Sequence, residues 1–261
     1  MATLTLDGLN IEYAQSGAGP ELLLLHSLLT EMTVFEKVLP QLAGARRVTT
    51  VNLPGFGASA PKALHTVGEH ADHVADVMEA LGLPLDTAVF GNGFGAFVAL
   101  ELAIRHGAQF RRLLVADCVP AFPDAGRVPF RGMAQKVRGG GMETVLDAAI
   151  GRMFPPAFQA AHPDVVAARK MALGKVDAQC FARACLALSQ MDLSPRLAGI
   201  KNPTLVMCGA LDLTTVPALA RQVAEGIPGA NYREIPDSGH CPMLEQPGML
   251  ISLIEDFLAS H

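Results

Sequence analysis

Two residues that could act together as an acid–base pair follow consecutive predicted strands near the end of the chain. Asp212 comes after the strand-like segment Thr204–Cys208, and His240 comes after Asn231–Ile235. A carboxylate beside a histidine fixes the imidazole tautomer, so that the other ring nitrogen can take or give a proton near neutral pH. A lone loop Asp or His is most often an ordinary surface residue. The order of these two, after adjacent strands, favours a catalytic pair.

A third signal is the segment Gly91-Asn-Gly-Phe-Gly95, where a predicted strand runs into a predicted helix through alternating glycines. Its spacing matches a nucleophile elbow, G-x-S-x-G, in which the central residue has strained backbone geometry at the tip of the turn. Gly93 stands in the place of the serine, so the pattern predicts the elbow frame without its nucleophile. A dinucleotide-binding loop is the competing interpretation, but it requires G-x-G-x-x-G after the first strand of a sheet.

Other reactive side chains have simpler interpretations. His70 and His73 lie on a polar helix face without a third convergent ligand, which predicts solvated positions and no metal site. The five cysteines include no C-x-x-C pair, so we expect buried free thiols in a reducing compartment. Cys118 and Cys241 are conceivable thiol nucleophiles, but packing is the favoured role. Asp117 is an alternative acid after another strand, although Asp212 fits its context better.

The elements that must position these residues alternate between strands and helices over residues 1–120, which is typical of a parallel, doubly wound sheet. From 121 to 195 the strand-like segments stop. Four helical segments are predicted there: Val128–Arg138, Met142–Met153, Ala157–Leu173 and Ala178–Met191. The sheet pattern resumes over 196–261. We therefore predict an α/β core in two parts, 1–120 and 196–261, with an inserted helical lid at 121–195.

The composition excludes several classes of protein. Only 17% of the 261 residues are charged and 50% are hydrophobic, which excludes disorder as the dominant state. No apolar run reaches the roughly 18 residues of a membrane span. With 20 basic against 25 acidic residues and no basic cluster, nucleic-acid binding is not expected. No basic residue precedes the first apolar stretch, so we expect no secretion signal and a cytoplasmic location.

Taken together, these motifs resemble the α/β-hydrolase fold superfamily along the whole chain. His26-Ser-Leu28 stands in the place of the family's H-G-x oxyanion loop, and Asn52–Ser59 resembles its D-x-P-G-x-G-x-S turn, with Asn for Asp. The segments Met153–Val166 and Met191–Leu197 are most similar to 3-oxoadipate enol-lactonases and related hydrolases. The resemblance implies an eight-stranded, mostly parallel sheet.

The resemblance also implies roles for individual residues. His240 would be the general base and acid, with Asp212 orienting its ring, and the backbone N–H groups of Phe94 and Leu28 would stabilise an oxyanion. Ser27, where the family favours glycine, would contact substrate or only its own loop. A substrate carboxylate would be met by one of the lid arginines, Arg127, Arg131, Arg138 or Arg152. No metal or organic cofactor is implied.

Gly93 leaves three interpretations open. In the first, the protein has dispensed naturally with the elbow serine, and the His240–Asp212 dyad cleaves an ester, lactone or C–C bond of a small carbonyl compound by activating water or moving protons. A serine hydrolase inactivated by an engineered Ser-to-Gly change is the second. The third is a ligand-binding receptor without chemistry. The departure at Ser27 accompanies the one at Gly93, which favours the first interpretation, a hydrolase or lyase.

Overall fold

The core of the molecule is one eight-stranded sheet in the order β1-β2-β4-β3-β5-β6-β7-β8. The computed structural model describes residues 1–260. Its strands are β1 (Ala2–Leu6), β2 (Leu9–Ser16), β3 (Glu21–Leu25), β4 (Arg47–Val51), β5 (Ala88–Asn92), β6 (Arg112–Ala116), β7 (Thr204–Gly209) and β8 (Asn231–Ile235). Strands β1 and β2 pair antiparallel with their neighbours, and all the other pairings are parallel. The predicted mostly parallel sheet is confirmed.

The central strands are short continuous apolar runs because helices cover both faces of the sheet. All five residues of β3 and of β5 are buried. The α-helices are α1 (Leu39–Leu42), α2 (Val67–Ala80), α3 (Phe94–His106), α4 (Asp124–Gly140), α5 (Leu146–Met153), α6 (Pro156–Ala161), α7 (Pro163–Leu173), α8 (Ala178–Gln190), α9 (Pro217–Gly226), α10 (Pro242–Glu245) and α11 (Pro247–Ser260). Short 3-10 helices cover Met32–Phe35, Gly107–Gln109, Met142–Thr144 and Ser194–Gly199. Within residues 1–260, no helix has both the length and the apolar character to cross a membrane.

The segment between β6 and β7 contains five α-helices, where four were predicted. The predicted helix Ala157–Leu173 is divided into α6 and α7 at His162, because Pro163 has no backbone N–H to continue the first helix and instead starts the second. Helices α4 and α8 pack against each other, and their side chains Phe130, Met133 and Leu188 are buried beside the loops that follow the strands. The function of this segment as a lid stays a prediction.

The strand order determines where the site lies. Strands β3, β5, β6, β7 and β8 are parallel neighbours, so the loops that follow them meet at one edge of the sheet. In sheets of this kind, ligands bind at the carboxyl ends of the strands. The loops after β3, β5, β7 and β8 carry Ser27, Gly93, Asp212 and His240 respectively.

Candidate active site

The turn between β5 and α3 has the backbone geometry of a strained elbow. Gly93 has φ 54° and ψ −116°, a combination that side-chain-bearing residues rarely adopt. Its N–H donates to the carbonyl of Ala116 at 3.0 Å, and its own carbonyl accepts from Ala96 and Phe97 in the first turn of α3. The tip is therefore fixed to the neighbouring strand and to the helix, with position 93 facing His240.

Close packing of two loops brings two backbone N–H groups to the site. A Cβ on Gly95 would overlap the carbonyl oxygen of Leu25 and lie 2.7 Å from that of His26, so only glycine lets the loop after β3 lie against α3. Within residues 1–260, the N–H groups of Leu28 and Phe94 donate no hydrogen bond. Phe94 is also the first residue of α3, where the helix dipole favours negative charge. Together these groups can stabilise an oxyanion.

Asp212 and His240 form a hydrogen-bonded pair. The Nδ1–H of His240 donates to Oδ2 of Asp212 at 2.8 Å, which leaves Nε2 free to exchange protons. The other oxygen of Asp212 accepts from the N–H groups of Thr214 and Thr215 at 2.7 and 3.1 Å, and the Thr215 hydroxyl donates to Oδ2. Four donors thus hold this carboxylate in one orientation, as the orienting member of a catalytic pair requires.

Burial and mutual attraction oppose each other in setting the charges of this pair. Burial alone would lower the pKa of His240, but the Asp212 carboxylate outweighs it, and the pKa is raised above the usual 6.5. Burial alone would raise the pKa of Asp212, but His240 and the Thr215 hydrogen bonds hold it below its usual value. An ionised Asp212 can therefore stabilise an imidazolium formed at His240.

Ser27 lies on the proton-accepting side of the histidine. Its hydroxyl oxygen is 3.4 Å from Nε2 of His240, and the side chain is buried. A Cβ built on Gly93 would overlap this hydroxyl oxygen and would lie 2.8 Å from Nε2 and 2.9 Å from the Ser27 Cβ. Ser27 therefore occupies the space that the side chain of an elbow residue would need.

A small cavity adjoins this group, between the strand ends and the helices α4, α5 and α8. It has about 20 Å³ of free space, which is room for about one water. Ser27, Leu28, Gly93, Phe94 and His240 line it from the core, and the other side is lined by Phe122, Phe130, Met133, Arg152 and Leu188. A substrate larger than a water molecule therefore needs a wider cavity than the one seen here.

Arg152 is the one of the four arginines considered from the sequence that lines the cavity. Its guanidinium lies 5.3 Å from the centre of the Phe130 ring and forms no salt bridge within residues 1–260, although the Asp212 charge attracts it at longer range. Arg127 instead donates to the carbonyl of Phe122, and Arg131 is exposed. A half-buried cation facing an apolar cavity favours an anionic group in the ligand.

Asp117 lies close to both Asp212 and His240, and the three form one buried cluster of ionisable side chains. One carboxylate oxygen of Asp117, one of Asp212 and one ring nitrogen of His240 all lie within 4.8 Å of one another, close enough for atoms that share a metal ion. Burial, with the Asp212 charge adding to it, raises the pKa of Asp117 to about 8. Its two oxygens accept from Asn92 Nδ2 at 2.7 Å and from the N–H of Gly209 at 2.8 Å. Because N–H donors already engage both carboxylates, hydrogen bonding accounts for this cluster and no cation is needed to explain it.

The prediction of solvated positions for His70 and His73 was wrong. Both are only 3% exposed. The His70 ring lies edge-on to Phe94 at the start of α3, with centroids 4.9 Å apart, and Nδ1 of His73 lies 3.3 Å from Nζ of Lys62. Burial lowers the pKa of His70 to about 3 and that of His73 to about 4, so both stay neutral. Their periodicity matched a helix, but the sequence did not show that this face is covered.

The cysteines are all free and buried, as predicted. Burial raises the pKa of the Cys118 and Cys241 thiols, which removes the thiolate that a nucleophile needs. Neither residue lines the cavity beside His240.

An elbow turn, a histidine–aspartate pair and two free N–H groups at the carboxyl ends of a mostly parallel eight-stranded sheet define the α/β-hydrolase class. The model of the alpha/beta hydrolase family matches residues 22–252, and the chain belongs to that family. The predicted fold, the resemblance to enol-lactonases and the assignment to hydrolases are thereby confirmed.

Individual relatives are similar over nearly their full length. The chain is 27% identical to 3-oxoadipate enol-lactonase 2 of Acinetobacter baylyi, covering 94% of this chain and 91% of that protein. It is 31% identical to the pimeloyl-[acyl-carrier protein] methyl ester esterase of Aromatoleum aromaticum, covering 91% and 97%. The crystal structure of the enol-lactonase from Burkholderia xenovorans LB400 superposes with a TM-score of 0.92 at 27% identity, covering 99% of this chain and 100% of that one.

Proposed function

We propose that the protein hydrolyses a small ester or lactone that carries a carboxylate, with His240 as general base and acid. The observation that carries this proposal is the 2.8 Å bond between His240 and Asp212, which leaves Nε2 beside the cavity and the free N–H groups of Leu28 and Phe94. His240 takes the proton of the attacking hydroxyl group and returns it to the leaving alcohol. The two N–H groups stabilise the oxyanion between these steps. Residue 93 supplies no atom to the reaction.

Two observations support the choice of substrate. The relatives named above are an enol-lactonase and a methyl ester esterase, and both names denote cleavage of a carboxylic ester bond. Arg152, which lines the cavity and forms no salt bridge within residues 1–260, supports a carboxylate on the substrate. The apolar lining by Phe130, Met133 and Leu188 suits a short hydrocarbon chain between the ester and that carboxylate.

The test is hydrolysis of p-nitrophenyl esters and enol-lactones by the unaltered chain and by His240→Ala. We expect His240→Ala to lower kcat by about 10³-fold or more, since the proton transfers lose their base. His65→Ala, which removes an exposed histidine, is the matched control and should leave turnover unchanged. Equal rates for the unaltered chain and His240→Ala would contradict the proposal.

The two other interpretations of Gly93 make different forecasts. A serine hydrolase disabled at the elbow would gain activity in Gly93→Ser, whereas here the new Cβ meets Ser27 and His240 and we expect no gain. A receptor would bind a ligand stoichiometrically without turnover in either form. Turnover by the unaltered chain together with its loss in His240→Ala excludes both.

A further inference from the structure

We propose that Ser27 is the nucleophile of this enzyme, displaced from the elbow to the loop after β3. The inference rests on the proposed hydrolase function and names the hydroxyl group that His240 activates. Within residues 1–260, Ser27 supplies the only side-chain hydroxyl hydrogen-bonded to Nε2 of His240, at 3.4 Å. The Thr215 hydroxyl lies 3.4 Å from the other ring nitrogen and donates to Asp212 instead.

The position of the hydroxyl is that of an elbow nucleophile, although it comes from a different strand. An elbow side chain begins at the Cβ of residue 93, and the Ser27 hydroxyl oxygen overlaps that point. A nucleophile and its base are usually within hydrogen-bond reach, and the separation is commonly long before substrate binds. Gly93 is therefore the residue that makes room for Ser27, since any Cβ there would displace it.

The loop holds Ser27 in place on both sides of its side chain. Its N–H donates to the Thr30 hydroxyl at 3.0 Å. Its carbonyl accepts from the Thr30 N–H at 3.3 Å and from His26 Nδ1 at 2.8 Å. Nε2 of His26 accepts from the N–H of Leu53 at 3.0 Å, and burial lowers the pKa of His26 to about 4, so this ring stays neutral as both bonds require. His26 is thus a positioning residue for Ser27.

The two oxyanion donors are arranged around Ser27 as they are around an elbow nucleophile, one from the next residue and one from the facing loop. In an elbow, the residue after the nucleophile supplies one N–H. Leu28 follows Ser27 directly, and its N–H is free, while Phe94 supplies the second N–H from the facing loop. Both donors line the cavity that Ser27 and His240 share. The oxyanion site therefore serves attack from Ser27 without rearrangement of the loops.

The chemical steps balance as ester hydrolysis. Ser27 Oγ bonds to the carbonyl carbon, its proton passes to Nε2 of His240, and the carbonyl electron pair moves onto the oxygen held by Leu28 and Phe94. Collapse breaks the bond to the alkoxy group, which takes the proton from His240 and leaves an acyl ester on Ser27. Water then attacks that ester, gives a proton to His240, and the serine oxygen departs with it. The sum is ester plus water to acid plus alcohol.

The experiment combines kinetics with covalent trapping. An alkyl fluorophosphonate reacts by forming a bond from phosphorus to the nucleophilic oxygen and losing fluoride, and peptide mass spectrometry locates the adduct. We expect one adduct per chain on Ser27 and matching inactivation, with no adduct in Ser27→Ala or His240→Ala. Ser27→Ala should lower kcat/KM for p-nitrophenyl esters at least 10³-fold. Ser27→Cys, which keeps a nucleophilic atom of similar reach, should retain measurable acylation and guards against loss of folding.

The matched control is Ser189→Ala, because Ser189 is also a buried serine but bonds only the Leu186 carbonyl in α8. It should keep both labelling and turnover. Turnover within tenfold of normal in Ser27→Ala, still abolished in His240→Ala, would overturn the inference and leave the proposed function intact through direct attack by water. Loss of turnover in Ser27→Ala without any adduct on Ser27 would also overturn it, because Ser27 would then only position other groups. No turnover by the unaltered chain would contradict the proposed function itself.

Discussion

The two sides of the cavity are built in opposite ways. On the core side, Asp212 accepts four hydrogen bonds and Ser27 is held through its N–H and its carbonyl. On the side of the helical segment, the lining consists of apolar side chains and the guanidinium of Arg152. Under the proposed function, the strand ends would therefore set the reaction geometry, and the side chains of the helical segment would select the substrate.

The two sides are nevertheless connected through backbone at the end of α5. The carbonyl of Met153 accepts from the N–H of His240 at 3.1 Å, and the carbonyl of Arg152 accepts from the Thr214 hydroxyl at 3.2 Å. Asn92 also donates to the His240 carbonyl at 3.2 Å, from the core side. The end of α5 therefore helps to hold His240 and Thr214 in place through backbone carbonyls, whereas α4 and α8 contribute only side chains to the cavity.

The largest expected effect tests the core side. Asp212→Asn should lower kcat by about 10³–10⁴-fold, because the amide cannot stabilise the imidazolium and favours the wrong tautomer. KM should change little, since Asp212 is not among the cavity-lining residues. Steady-state kinetics on p-nitrophenyl esters measures both, with the exposed Asp192→Asn as control. A change in KM without a change in kcat would show that Asp212 acts in substrate binding, which would contradict the separation of reaction chemistry from substrate binding.

The next effect tests the opposite side. Arg152→Gln should raise KM about 10- to 100-fold for substrates with a carboxylate and leave neutral esters nearly unchanged, because only the former lose a charge-assisted contact. Arg131→Gln removes an exposed arginine from the neighbouring α4 and should have no such effect. The check is a comparison of succinate half-esters with neutral esters of equal length. An equal rise in KM for the half-esters and the neutral esters would contradict a role for Arg152 in binding the substrate carboxylate.

A smaller effect measures how far the two sides are coupled. His240 must be neutral to act as base, and its pKa is raised, so kcat/KM should rise with pH through a midpoint above 6.5 and fall about tenfold per unit below it. The positive charge of Arg152 opposes protonation of His240. Arg152→Gln should therefore move the midpoint to higher pH, whereas Arg131→Gln should not. The same midpoint in both variants would show that the charge of Arg152 does not influence the protonation of His240.

The smallest effect concerns attachment of the helical segment. Arg169 in α7 pairs with Glu31 at 3.1 Å and donates to the Thr33 hydroxyl at 2.9 Å, and both charged side chains are nearly buried. Arg169→Ala should lower the free energy of unfolding by about 1–2 kcal/mol, because Glu31 loses its partner. The adjacent Lys170→Ala breaks only the exposed pair with Asp147 and should cost less than about 0.5 kcal/mol. Urea unfolding distinguishes them, and equal losses would contradict this attachment.

The sequence predicted the core side well, because its signals are local. The central strands are short apolar runs, the elbow glycines lie at the end of β5, and Asp212 and His240 come a few residues after β7 and β8. The contact between Ser27 and His240 could not be derived in this way. It depends on β3 pairing beside β5 and on α3 packing against the following loop, which are relations between distant segments.

The helical segment was predicted less well for a related reason. Periodicity identified helical residues but missed the division at Pro163, and it could not show which of the four arginines would face the cavity. The burial of His70 and His73 has the same origin, since it comes from contacts outside their own helix, with Phe94 and Lys62 respectively. The residue pattern within one segment does not show how that segment packs against the others.

The shared position of Ser27 and the residue 93 side chain has a consequence for the evolution of this site. The space beside His240 holds either the Ser27 hydroxyl or a side chain at position 93, but not both. The effect of a serine at position 27 or 93 therefore depends on which residue occupies the other position, a dependence called sign epistasis. On the proposed role of Ser27, a form with serine at both positions would be crowded, and a form with neither would lack a nucleophile. The pair Gly93 and Ser27 should therefore be inherited together, and the double variant Ser27→Gly/Gly93→Ser is the change that could restore an elbow enzyme where each single change fails.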